Sequence, residues 1–80
     1  MKFPVTIRGH EFTQAEAQEV RKNFNLATYR KRGSKRQQAK GNLLLAIADN
    51  PSLHAKCVAI EPADLAQLAL AKEPDPPTSN

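Results

Sequence analysis

Between Glu19 and Asp49 the chain carries eight basic residues and no acidic one. This limits the fold more than any other feature. Cations with no acid nearby in sequence find no local ion-pair partner, so most of this stretch is expected to face solvent or an external anion. The densest part is Tyr29-Arg30-Lys31-Arg32-Gly33-Ser34-Lys35-Arg36, in which five of eight residues are cationic. Arg21 and Lys22 precede it, and Lys40 follows one helical turn later. Elsewhere the chain is mildly acidic, −1 over residues 1–19 and −3 over 49–80, against a formal net charge of +4. The basicity is one local block.

Eighty residues make a single small domain, expected over residues 1–72. A chain this short buries only about 60 to 65% of its unfolded surface, so its stability is small or is shared with a partner. Aromatic residues are few (Phe3, Phe12, Phe24 and Tyr29), which leaves Ala and Leu to fill the core. The single cysteine, Cys57, has no partner for an internal disulfide, and a reducing, cytoplasmic location follows as the expectation. Met1-Lys2-Phe3-Pro4 lacks the apolar segment of a signal peptide. The longest apolar run, Leu43 to Ala48, is six residues. That is far short of the roughly 20 needed to span a bilayer, so no membrane association is expected.

The pattern predicts an α+β, mainly helical domain with an N-terminal strand or hairpin, three to four helices and a disordered C-terminal tail. Phe3, Val5 and Ile7 alternate with polar residues as in a half-buried strand, and Arg8-Gly9-His10 reads as a turn into a second short strand. Thr13-Gln14-Ala15-Glu16 has the spacing of a capping box and opens a helix from Gln14 to Phe24, with Ala17, Val20 and Phe24 inward. Asn25 is the expected cap of a shorter helix, Leu26 to Arg32, closed by Gly33. Ser34-Lys35-Arg36-Gln37 reads as a second capping box, for a helix from Lys35 to Asp49 with Ala39, Leu43, Ala46 and Ile47 inward. Residues 52 to 60 are ambiguous: Pro51 can begin a helical turn, while Cys57-Val58-Ala59-Ile60 is β-biased and can add a third strand. Glu61-Pro62-Ala63-Asp64 starts a last helix with Leu65, Leu68 and Ala69 inward. Residues 73–80 are too polar and Pro-rich to pack.

The basic block is the main chemical signal. Lys35 and Arg36 fall in the first turn of a helix, where the dipole disfavours cations by roughly 0.3 to 1 kcal/mol each. A bound phosphate removes that conflict. It would meet the helix-start amides, the Ser34 hydroxyl and the forked guanidinium groups of Arg30, Arg32 and Arg36. The expected anion-binding set is Arg21, Lys22, Tyr29, Arg30, Lys31, Arg32, Ser34, Lys35, Arg36, Gln37 and Lys40, with base reading by Tyr29, Gln37, Gln38 or a neighbouring Arg. The competing explanation is a solvated charge run. Residues 13 to 32 loosely match a helix-turn-helix, although Asn25 replaces the usual turn glycine and Arg21 occupies a place normally held by a small residue.

Other constellations are thin. His54-x-x-Cys57 has metal-ligand spacing, but His10 is the only other histidine and a site needs three or four ligands, so neither metal nor cofactor is expected. Asp49, Glu61 and Asp64 read as helix caps. There is no phosphate loop, no nucleophile elbow and no His and carboxylate paired at a suggestive spacing, so neither an enzyme nor a small-molecule substrate is expected. Leu44, Leu45 and Leu70 lie off their helices' apolar stripes and point to a homodimer or partner interface. Two functions follow as expectations. One is a small DNA-binding transcriptional regulator of the phage or mobile-element kind. The other is a small protein inhibitor that docks its basic face on an acidic or nucleic-acid-binding surface of a host enzyme or antiviral defence complex.

Overall fold

A computed structural model describes residues 3–71. The predicted tail, 73–80, lies outside them. The element order is β1 (Val5–Ile7), β2 (His10–Phe12), α1 (Gln14–Asn23), α2 (Leu26–Tyr29), α3 (Ser34–Ala46), α4 (Pro51–Val58) and α5 (Pro62–Leu70). This is the expected α+β, mainly helical domain with an N-terminal hairpin, carrying five helices rather than three or four.

β1 and β2 pair antiparallel, with Val5 opposite Phe12, Thr6 opposite Glu11 and Ile7 opposite His10. The two-residue turn between them holds Arg8 at φ 48° and Gly9 at φ 82°. Both central residues are left-handed, the backbone that matches the twist of a hairpin. Phe12 is fully buried, and Phe3, Val5 and Ile7 pack partly against the core.

The α1 capping box forms as predicted. The Glu16 amide donates to the Thr13 hydroxyl at 3.2 Å, and the Thr13 amide donates to Glu16 Oε1 at 2.9 Å. Ala17, Val20 and Phe24 are buried. Helix α1 packs on α5, and α3 lies against both. Leu43, Ile47, Leu53, Cys57, Ile60, Leu65 and Leu68 fill the space they share.

Three expectations need correction, and one open alternative is settled. The second helix stops at Tyr29, so Arg30, Lys31 and Arg32 lie in a turn and not on a helix. The cap of α3 is Gly33, and no side chain caps that helix; Ser34 is its first residue, so the second capping box does not form. Ala46 ends α3 on the exposed side, leaving Ala39, Leu43 and Ile47 as the inward stripe. Residues 51–58 are helical and do not extend the sheet. There Asn50 accepts from the Leu53 amide at 3.3 Å, Pro51 sits in the first turn, and Leu53 and Cys57 are buried four positions apart. The cap, the proline and the i, i+4 apolar spacing together outweigh the β bias of Cys57 to Ile60.

Candidate functional site

The basic block forms a ledge that begins where α2 unwinds. Asn25 caps α2 by accepting from the Thr28 amide at 3.1 Å. The chain then tightens: Lys31 N–H donates to the Thr28 carbonyl at 3.1 Å and Arg32 N–H to the Tyr29 carbonyl at 3.3 Å. Arg32 adopts φ 70°, and Gly33 adopts φ 59° with ψ −140°. The Gly33 combination lies in a region that side chains with a Cβ rarely enter. From there Lys35 N–H donates to the Arg32 carbonyl at 3.2 Å and Arg36 N–H to the Gly33 carbonyl at 3.1 Å. Those two amides are therefore occupied within the turn, and the phosphate cradle expected from them is reduced to the side chains.

Every residue from Arg30 to Gln38 is exposed. Among the described residues, none of Arg30, Lys31, Arg32, Lys35 or Arg36 forms an ion pair. The Lys35 ammonium donates to the neutral Gln38 side-chain carbonyl oxygen, at 3.1 Å. Arg36 lies over the Tyr29 ring, 5.0 Å from its centroid, and the other side of that aromatic pair is Phe24, at 5.7 Å and 51°. Half-buried Tyr29 thus connects the ledge to the core.

Next to the ledge is an open cleft of ≈ 410 Å³. It is lined by Tyr29, Gly33, Arg36 and Gln37, by Arg8 of the hairpin turn and by Glu61 at the start of α5. Arg8 Nε donates to Asp64 Oδ2 across 56 positions of sequence. Asp64 also accepts from the Glu61 amide at 3.0 Å. The Arg8 hydrogen bond, with help from the Glu61 amide, holds the Asp64 carboxyl below its usual range. Sequence reasoning missed Arg8 and Glu61 as walls of this site. The only local sign was a cation placed directly before the turn glycine.

The remaining predicted residues lie elsewhere. Lys40 turns toward α4, where its ammonium donates to the carbonyls of Val58 at 3.0 Å and Ile60 at 2.6 Å. It closes the end of that helix instead of extending the ledge. Arg21 and Lys22 occupy the last turn of α1, and Lys22 is 3.9 Å from Glu19. Leu44 packs partly against the core, while Leu45 and Leu70 are 79% and 56% exposed. Val58, not singled out from the sequence, is 50% exposed.

The arrangement suits the binding of an anion. Among the described residues there is no group of three or more His, Cys, Asp and Glu side chains placed to hold a metal. Cys57 is fully buried, and burial pushes its thiol up to about 11, which keeps it neutral and unreactive. No helix in the described residues is long and apolar enough to cross a membrane. No family model, curated protein or solved structure matches this chain.

Proposed function

We propose that this protein binds nucleic acid, duplex DNA first, by seating backbone phosphates on Arg30, Lys31, Arg32, Lys35 and Arg36. One observation carries the reading: five exposed cations without an ion pair among the described residues, on a turn and helix start whose backbone is closed by its own hydrogen bonds. Such an arrangement costs stability through mutual repulsion and through the helix dipole at Lys35 and Arg36, and phosphate contacts reverse both terms. Pre-ordering of the turn lowers the entropy lost on binding.

Base reading plays a secondary part. α2 has four residues, about 6 Å of helix, too short to track a groove. The exposed side of α3, with Gln37 and Gln38, is the surface available for base edges. Binding is therefore dominated by phosphate contacts. Regulation of transcription by a homodimer, with Leu45 and Leu70 in its interface, is the finer form of the proposal.

A second reading draws on Leu45, which is 79% exposed on the same helix as Lys35 and Arg36. An apolar anchor beside a basic face also suits an inhibitor docked on an acidic protein surface. Salt dependence separates the two. Five phosphate contacts give a log–log slope of about −4 to −5 for the association constant with mixed-sequence duplex. A slope near −1, or no binding at low salt, overturns DNA binding and leaves the docking reading.

A further inference from the structure

The cleft beside the ledge differs from the ledge in kind. Glu61, which shares the α5 capping box with Asp64, also lines this cleft together with Arg36 and Gln37, so a carboxylate stands among the cations there. We infer that the cleft receives a single unpaired nucleobase with a donor edge, guanine foremost, from a strand whose phosphates lie on the ledge. The inference rests on the nucleic-acid reading of the ledge and adds to it a class of ligand that the ledge alone does not select.

The walls supply the parts that a base requires. Arg36 lies over the Tyr29 ring, and Tyr29 makes a tilted contact with buried Phe24. Both Arg36 and Tyr29 line the cleft, and unpaired bases stack on guanidinium and aromatic planes. The Glu61 carboxylate, besides its part in the α5 capping box, has lone pairs to accept from the N1–H and N2–H groups of guanine, and the Gln37 amide can serve either donors or acceptors. Arg8 has its Nε committed to Asp64, which fixes the side chain and leaves the terminal amino groups for O6, N7 or a phosphate oxygen. At Gly33 nothing lies within 4 Å of the place a Cβ would occupy, so the backbone is open to close approach. The volume, ≈ 410 Å³, is within the range of sites for small ligands, roughly 300 to 1,000 Å³. A paired base hides its donor edge and is stacked on both faces, so the occupant comes from an overhang, a bulge or a single strand.

The test compares three labelled DNAs with equal numbers of phosphates: a blunt duplex, a duplex with a three-guanine overhang and one with a three-thymine overhang. The guanine overhang should bind about tenfold tighter than the other two. The variant Glu61→Gln should lose that preference. The variant is informative because it removes a negative charge beside the ledge. If Glu61 acts only through its charge, all three DNAs bind more tightly and the guanine preference survives, which overturns the role given to Glu61. Equal affinities in the parent protein overturn the base site and leave the ledge standing. If no DNA binds, the ledge reading fails, and the cleft is tested alone with 5′-GMP. Tyr29 is the chain's only tyrosine and there is no tryptophan, so its ring resonances report occupancy directly. Unmoved resonances overturn the site, and a shift that Glu61→Gln abolishes supports it.

Discussion

Lys56 and Arg36 each lie over an aromatic ring, Lys56 at 5.5 Å from the Phe12 centroid and Arg36 at 5.0 Å from that of Tyr29. Their surroundings then diverge. Lys56 donates to both Glu16 carboxylate oxygens at 3.0 Å and to the Glu11 carbonyl at 2.6 Å. It thereby ties α4 to the capping box of α1 and to β2. Arg36 and its four neighbours on the ledge meet no acid partner among the described residues. A cation whose hydrogen bonds are all met inside the chain supports the fold. A set of cations held in place without partners is available for an external anion.

Breaking the Lys56 node should have the largest effect on stability. Lys56→Met keeps a side chain of similar length but leaves Glu16, only 17% exposed at its side chain, without its ammonium. The expected loss is about 2 kcal/mol by urea unfolding, with DNA affinity unchanged under native conditions. A comparable loss of DNA affinity would show that the two regions are not separate.

Acid attacks the same node. For Glu16, burial raises the carboxyl, but the Thr13 amide and the Lys56 ammonium outweigh it, so the net position is below the ordinary 4.5. Asp64 is held below 3.8, first by Arg8. For a lowered carboxylate the stabilisation is present above the unfolded value and disappears as pH falls through the folded one. Stability should therefore be flat from neutrality to about pH 5 and fall below pH 4.5, and Lys56→Met should flatten that decline. A pH titration of the thermal midpoint checks both.

Gly33→Ala forces a Cβ onto φ 59°, ψ −140° and should cost about 1 to 2 kcal/mol. Because Gly33 sets the angle between the turn and α3, DNA affinity should fall with it. An unchanged affinity would mean that the ledge needs charge but no fixed shape. Gly41→Ala is the smallest change and has the opposite sign. A Cβ there meets nothing within 4 Å, so the helix should gain about 1 kcal/mol and DNA binding should be unaffected. Weaker binding in that variant would place a partner's backbone close to α3.

Much of the fold was legible because its signals are local. The Thr13–Glu16 box, the apolar spacing of Ala17, Val20 and Phe24, and the Gly9 turn each act within a few residues. The misreadings have two causes. One is competition between local signals: Gly33 supplied a backbone that Ser34 could not, and so displaced the serine from the cap. The other is distance. Arg8 meets Asp64 across 56 positions and Lys40 reaches Ile60 across 20, and no periodicity carries such pairings. The candidate site divides in the same way. The ledge is a contiguous run and could be read directly, while the cleft required three separated segments to be brought together.

The most direct test of the contrast is one variant, Arg32→Ala with Lys35→Ala and Arg36→Ala, followed in two measurements at low salt. Affinity for mixed-sequence duplex should fall by at least about 100-fold. Unfolding in the absence of DNA should show about equal stability, since the repulsion and unfavourable dipole contacts removed offset the lost Arg36–Tyr29 contact. Undiminished affinity, or a loss of affinity that accompanies a loss of stability, would contradict the account.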